Sequence, residues 1–445
     1  MKTIFVTSFH PHISRNILSA GVLSRLAESA RVVLVTPDYK KNFFKANFDG
    51  PNIEVEGVPA YQASKNWRGL LFKKLGIFLF GTGTAKLKTK YKYYNDKKFF
   101  YFVFAMLSGF IGKFFWVRTI VRFLDQKFSP KRFFKDLIAK NKPDAIFFTD
   151  PQNENDVSLL HDARDANIPI IAMLRSWDNT TQRILRVLPD KLLVGSKEVK
   201  KEVLEMYKYP KEKIVVTGNP HYDKYIKGPT KSKENFFAEF GLDTQKKLIT
   251  YAPVGDHLVT LNDIDQHVME VLSELKNYQI LVRFPPDEGV RLVNFKKPAN
   301  MFFDKPGHAF KSDEFGDREI RPEDDERLIN EIYHSDLMIT GPTSISLDSA
   351  LIDKPVITVN FYPSARHFFD GIYTNQCDHI QKLLRTGGIK HASSKEDFIK
   401  FIYEYLQNPK LDAEGRAKIR SMWFSHADGK ASERVANEVT NFINT

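Results

Sequence analysis

Residues 332–361, IYHSDLMITGPTSISLDSALIDKPVITVNF, decide how the chain is read. Leu337 to Thr340 is a short apolar run suited to a buried strand. Gly341-Pro342 breaks it, because glycine permits unusual backbone angles and proline cannot continue a ladder. Thr343, Ser344 and Ser346 open a helix that runs to about Asp353. Lys354-Pro355 stops that helix, and the β-branched run Val356 to Asn360 forms the next strand. A strand that enters a helix through a hydroxyl-rich turn leaves backbone N–H groups unpaired, so such a turn suits an anion such as phosphate. The same residues also serve as ordinary helix caps, and the turn lacks the spacing of a P-loop. Asp348, on the second helical turn, faces either ligand or solvent.

Working outward, the same strand–turn–helix rhythm recurs in two blocks. The length of 445 residues suits two or three domains. Strands at Thr3–Thr7, 31–36 and 53–58 begin a doubly wound α/β domain, which resumes with strands near 143–148, 169–174, 191–194 and 214–217. Ligands of such sheets bind outside the carboxyl ends of strands. His10, His12 and Arg15 follow the first strand. Arg175, Trp177, Asp178 and Asn179 follow a later one, and Gly218-Asn219 the last. Asp178 suits a general base that takes a proton from an acceptor hydroxyl, with His10 as the alternative. It suits an N-cap equally well. Trp177, Asn179 and Arg175 would line an acceptor site, and Gly218, Asn219 and Asp348 a donor site. Residues 226–246 are polar and lysine-rich, as a linker would be. Strands at 248–253 and 279–284 then start a second domain. Arg283, at a strand end, would add charge to a bound diphosphate. The expected boundaries are 1–225, 226–246 and 247–425, with a terminal helix at 426–445 packing back on the first domain.

The net charge of +12 is local. Residues 65–135 hold 17 lysines and arginines against two acids, a surplus of 15, so the rest of the chain is slightly acidic. Aromatic and aliphatic residues interleave with these cations. The longest uncharged run, Phe99 to Gly112, has 14 residues, short of the ~20 that span a bilayer. A basic, aromatic insertion of this kind suits helices lying on an anionic membrane surface. Trp67, Phe72, Lys73, Lys74, Phe102, Lys113, Trp116, Arg118 and Arg122 would make that contact. An ordinary helical core with a basic outer face and a nucleic-acid stacking surface are the competing readings. The apolar run exceeds what stacking needs, so no nucleic-acid partner is expected. A single cysteine, Cys377, and an apolar start too short for a signal peptide suit a reducing, cytoplasmic setting. Dinucleotide, P-loop, zincin and α/β-hydrolase signatures are absent, as is any metal-ligand spacing.

Taken in order, 171–225 (IAMLRSWDNTTQ, DKLLVGSKEVKKEVLE, KEKIVVTGNPHYDKY) resembles the two-domain GT-B glycosyltransferases. Residues 248–434 (LITYAP, LVRFPP, HSDLMITGPTSISLDSALIDKPVITVNF, DGKASER) resemble the CDP-glycerol glycerophosphotransferase group, teichoic-acid polymerase-like, within that fold. The resemblance implies two Rossmann-like domains facing a cleft. It implies a nucleotide-activated donor with its diphosphate at Thr343 and Ser344, an acceptor in the first domain, and no metal or other cofactor. It also implies work on lipid-linked or cell-surface glycan acceptors at the inner face of the membrane. Three motifs depart from the group. Its HGT-type histidine motif stands here as Ser176-Trp177-Asp178-Asn179. Its RxHP-type motif stands as Arg283-Phe284-Pro285-Pro286, and its Asp-Tyr-Ser-Ser turn as Gly341-Pro342-Thr343-Ser344. These departures favour a nucleotide-sugar donor over CDP-glycerol. Glycosyl transfer is therefore the expected activity. A glycerophosphotransferase, a nucleotide-sugar epimerase and a non-catalytic lipid- or polymer-binding protein are the alternatives.

Overall fold

The computed structural model describes every residue except 61, 63, 64, 258, 260, 261, 287, 311–317 and 445. The chain divides into two compact units, residues 1–223 with 425–445, and residues 224–424.

The first unit is built on a seven-stranded parallel sheet. Its strands are β1 (Thr3–Thr7), β2 (Arg31–Pro37), β3 (Ile53–Val58), β4 (Ala145–Phe148), β5 (Ile170–Met173), β6 (Lys191–Val194) and β7 (Ile214–Val216), in the order β3-β2-β1-β4-β5-β6-β7. Strands covered on both faces need continuous apolar runs, and Val32 to Val35 and Ala145 to Phe148 are fully buried. One layer of the core gathers Phe5, Val33 and Ile146; the other gathers Ile4, Val32 and Phe147 with the terminal helix Ala431–Asn444. That helix is tied down at its start. The Asp223 carboxylate accepts from the backbone N–H of Ala431 (2.9 Å) and of Ser432 (2.7 Å), and from the Ser432 hydroxyl (2.6 Å).

The second unit carries a six-stranded parallel sheet with strands β8 (Leu248–Ala252), β9 (Gln279–Arg283), β10 (Met301–Asp304), β13 (Leu337–Thr340), β14 (Val356–Val359) and β15 (Lys390–Ala392). Its order is β10-β9-β8-β13-β14-β15, and a two-residue pair, β11 (His308–Ala309) with β12 (Arg318–Glu319), lies outside it. Residues 226–246 are not an extended linker. They hold the helix Lys233–Phe240, whose Phe236 and Phe237 are fully buried with Leu248 and Leu281. The lysines give this stretch a linker's composition, but its phenylalanines belong to a core.

Four helices, Trp67–Phe78, Gly83–Asp96, Phe99–Ile111 and Phe115–Phe128, form the insertion between β3 and β4. Phe99–Ile111 is packed the wrong way round for a core helix, burying Ala105, Ser108 and Gly109 and leaving its phenylalanines outside. Backbone contact enforces this. A Cβ on Gly112, the residue that ends this helix, would stand 2.1 Å from the Leu79 carbonyl oxygen.

Candidate functional site

Both sheets reverse strand order at one point, between β1 and β4 and between β8 and β13. Crevices outside the carboxyl ends at such points are where open α/β sheets bind ligands. The Gly341–Ser344 turn follows β13. Gly341 is required by close approach, since a Cβ there would lie 2.8 Å from Val254 in the loop after β8. Buried Asp265 anchors that loop, accepting from the backbone N–H of Val254 (2.7 Å) and Gly255 (3.0 Å) and from the Tyr251 hydroxyl (2.5 Å).

Thr343 and Ser344 are half-buried. The Thr343 hydroxyl pairs with that of Thr340 at 2.9 Å. Ser344 precedes the helix Ile345–Leu351, yet its side chain makes no capping bond, so its hydroxyl is not consumed as an N-cap. The first amides of this helix have no acceptor within it. The wider set of phosphate contacts contracts here. Ser346 and Asp348 are fully buried within the helix, away from the open side of the turn. Arg283 is buried and fully engaged. It donates to Asp304 (2.7 Å), Glu331 (3.0 Å) and the Asp324 carbonyl (2.8 Å), which makes it a structural cation rather than a phosphate ligand.

In the first unit, His10 follows β1, Asp150 follows β4, and the Arg175–Asn179 turn follows β5. Arg175 donates to Asp150 at 2.9 Å. The His10 imidazole Nδ1 accepts the backbone N–H of His12 at 3.2 Å. Burial, and then the charges of Arg175, His12, Lys40 and Arg15, hold the His10 pKa well below the ordinary histidine value. His10 is therefore neutral near pH 7, with its proton on Nε2. Beneath this edge, burial and the nearby Asp150 charge push the Asp156 carboxyl well above the carboxylate range.

Asp178 precedes the short turn Asn179–Thr181 without capping it through its side chain; instead its carboxylate accepts from the Gln182 amide. Trp177 is half-buried beside it. Asn179 does not face an acceptor. It is 4% exposed, accepts from the Ser176 N–H (2.8 Å) and donates to Gln152 (3.0 Å), which fixes the turn. Gly218 has a φ of 84°, and a Cβ there would lie 2.9 Å from Ala431. Its place is set by packing on the terminal helix, and Asn219 accepts from the His221 N–H (3.2 Å). Among the described residues no group of three or more His, Cys, Asp or Glu side chains comes together to hold a metal.

The helical insertion exposes many of its aromatic rings. Phe100 (88%), Trp67, Phe123, Phe110 and Trp116 are the most exposed of these rings, and Lys113 lies over the Phe110 ring. Three residues expected at the membrane contact turn inward. Phe72 is buried. Arg118 donates to the carbonyls of Gly112 (2.6 Å) and Met206 (2.5 Å). Arg122 donates to the Leu185 carbonyl (2.8 Å), and burial lowers its pKa to about 10. Phe102 is half-buried against Tyr93, whereas Lys73 is half-buried and Lys74 exposed. No single described helix is long and apolar enough to cross a membrane. Phe99–Ile111 and Phe115–Phe128 pass such a test only together, bent by 116°.

Sequence reasoning missed two features. Asp150 and Asp156 follow β4, where only the position after a strand could have drawn attention to them. The irregular loop 360–376 lines a cavity and carries no periodic signal.

A family model described as CDP-Glycerol:Poly(glycerophosphate) glycerophosphotransferase matches residues 174–441. A teichoic acid poly(ribitol-phosphate) polymerase of Bacillus spizizenii is 26% identical over 260 residues, which is 56% of this chain and 37% of that protein. The chain thus spans well under half the length of this relative. Among solved structures, the UDP-GlcNAc 2-epimerase of Neisseria meningitidis bound to UDP-GlcNAc superposes with a TM-score of 0.57 at 12% identity, covering 99% of this chain and 100% of that one. The wall teichoic acid polymerase TagF, in a crystal soaked with CDPG, gives 0.52 at 13% identity, covering 100% and 88%. The calicheamicin glycosyltransferase CalG4 gives 0.53 at 11%, covering 100% and 98%. At these identities the structures speak for the fold, two Rossmann-like domains of the GT-B kind.

Proposed function

This chain belongs to the CDP-Glycerol:Poly(glycerophosphate) glycerophosphotransferase family, and on that premise we propose that it transfers a polyol phosphate from a CDP-activated donor, CDP-glycerol, to a hydroxyl of a lipid-linked cell-surface polymer. The single observation that carries this reading is the extent of the family match. Residues 174–441 contain both the Asp178 turn and the Thr343-Ser344 turn. The motif departures spoke for a sugar donor, but the match across both turns weighs more.

In this reading the second unit holds the donor. The Thr343 and Ser344 hydroxyls and the first amides of Ile345–Leu351 receive the diphosphate oxygens and stabilise charge on the leaving group. The first unit supplies the acceptor side. Asp178 takes the proton of the attacking hydroxyl, whose oxygen bonds the glycerol-bearing phosphorus as its bond to CMP breaks. Trp177 and Arg175 border the acceptor. The exposed aromatic rings, with Lys74 and Lys113, rest on an anionic membrane from the cytoplasmic side, where a lipid-linked acceptor is found.

The product identifies the donor. The test incubates the full chain with CDP-glycerol, or with nucleotide sugars, and acceptor in anionic vesicles. Glycerophosphate transfer releases CMP, sugar transfer releases a nucleoside diphosphate, and epimerisation releases neither. CMP release that falls about 10–100-fold in Ser344→Ala, the cost of one hydrogen bond to a charged group, and strongly in Asp178→Ala is the expected outcome. Wild-type turnover in both variants would refute the site, and diphosphate release would refute the donor.

A further inference from the structure

A cavity of about 530 Å³ opens in the second unit, lined by residues 360–376, His267 and the start of the helix Lys395–Gln407. It lies beyond the ends of β14 and β15. Thr343 and Ser344 do not line it.

Its wall contains an anomaly. Asn375 is 2% exposed, and neither its side-chain nitrogen nor its oxygen has a hydrogen-bond partner. Buried amides are almost always paired, so one that lines a cavity with both atoms unused calls for a ligand. A second feature specifies charge. Ser394 caps the 13-residue helix by accepting the Asp397 N–H at 3.0 Å. The earlier amides, of Lys395 and Glu396, have no acceptor within the helix, and both residues line the cavity. Arg366 stands over the Tyr362 ring at 4.1 Å and pairs with Asp263 at 2.7 Å. The local charge is balanced rather than strongly positive, because Glu396 also lines the wall and Lys395 pairs with Glu274 at 3.1 Å. That suits one phosphate rather than a polyanion.

The rest of the lining mixes amides and hydroxyls, including Gln376 and Ser393, with His367, the exposed Phe368 and Ile372. Arg366 covers the Tyr362 face, and Phe361 packs on Phe398 at 5.1 Å between ring centres, so neither ring is open for a nucleobase to stack upon.

We propose that this cavity is a polyol-phosphate site, separate from the diphosphate turn. The phosphate lies on the amides of Lys395 and Glu396 beside Arg366, and the hydroxyls meet Asn375 and Gln376. The choice of polyol rests on the proposed function. Two sources share this chemistry, free glycerol phosphate and a unit of the polymer chain.

The test uses the full chain, with sn-glycerol 3-phosphate as probe in the presence of saturating CMP. Calorimetry or ligand-observed NMR should report binding that Asn375→Leu, Arg366→Gln and the exposed Gln376→Ala each weaken about tenfold or more. CMP affinity and the thermal midpoint should stay at wild-type values in Gln376→Ala. Ser344→Ala should do the reverse, weakening CMP alone, so failure of the donor turn is distinguishable from failure of this site. If the polymer chain is the source, affinity for a glycerophosphate oligomer falls with the cavity variants; if free glycerol phosphate is, the variants weaken the monomer alone. Displacement of the probe by CMP, equal binding of inorganic phosphate, or no effect of the three variants would each overturn the proposal.

Discussion

Replacing Phe100 by alanine should weaken membrane binding without weakening the fold. Phe100 is 88% exposed on the outer side of the Phe99–Ile111 helix. A phenylalanine offers roughly 200 Å², so about 175 Å² of this ring is available to lipid. At ~25 cal/mol per Å², complete insertion is worth about 4 kcal/mol and insertion to half depth about 2 kcal/mol. Since 1.4 kcal/mol is a tenfold change, the partition coefficient should drop by roughly 30-fold to several hundred-fold. The assay is co-sedimentation with vesicles containing anionic lipid, at low and high salt, with the thermal midpoint measured alongside. Phe72→Ala is the internal control. That ring is buried, so its loss should cost about 3–5 kcal/mol of stability while the folded fraction partitions normally. Equal vesicle binding by Phe100→Ala and the wild type would refute the membrane role of this face.

Two further expectations concern buried ions. Arg283→Met should lower the unfolding free energy of the second unit by about 3–5 kcal/mol, because Asp304 and Glu331 lose their shared partner. Thermal denaturation without nucleotide shows this, whereas a residue serving only the ligand would leave the apo midpoint unchanged. Asp125 makes an acid-sensitive tie in the first unit. Burial raises its carboxyl, but hydrogen bonds from Arg186 and His161 outweigh that and hold it well below the usual range. The unfolded chain then binds the extra proton, so this stabilisation is present above about pH 4 and is lost as pH falls toward the folded value. Asp125→Asn should be less stable at pH 7 and show a shallower loss in acid unfolding followed by circular dichroism.

The strands and their carboxyl ends were legible because parallel strands need unbroken apolar runs and their turns need glycine or polar residues. Side-chain direction was not. Arg283 occupies a strand end whether it meets a phosphate or a buried carboxylate, and only Asp304 and Glu331, 21 and 48 residues away, decide between them. Composition likewise marked residues 65–135 as apolar and basic. Which faces pack depends on glycines meeting backbone, at Gly112 against Leu79. That contact turns the phenylalanines of the Phe99–Ile111 helix outward; Phe72, Arg118 and Arg122, on its neighbouring helices, point inward. The Asn375 cavity left no trace, since its loop follows no period.

On the proposed reaction, the first unit also separates two proton roles that sequence alone left interchangeable. A base must offer a lone pair. In neutral His10, Nδ1 already accepts from the His12 amide, so Nε2 carries the proton and can only donate. The cations around it oppose a further proton. Asp178 has only acceptor oxygens, one of them oriented by Gln182, and this is the arrangement that takes a hydroxyl proton. His10 and Arg175, both half-buried, suit the opposite task of meeting phosphate oxygens along an anionic acceptor chain. Such a chain would offset the charges that lower the His10 pKa, so acceptor binding and protonation of His10 should favour one another, while the base role falls to Asp178.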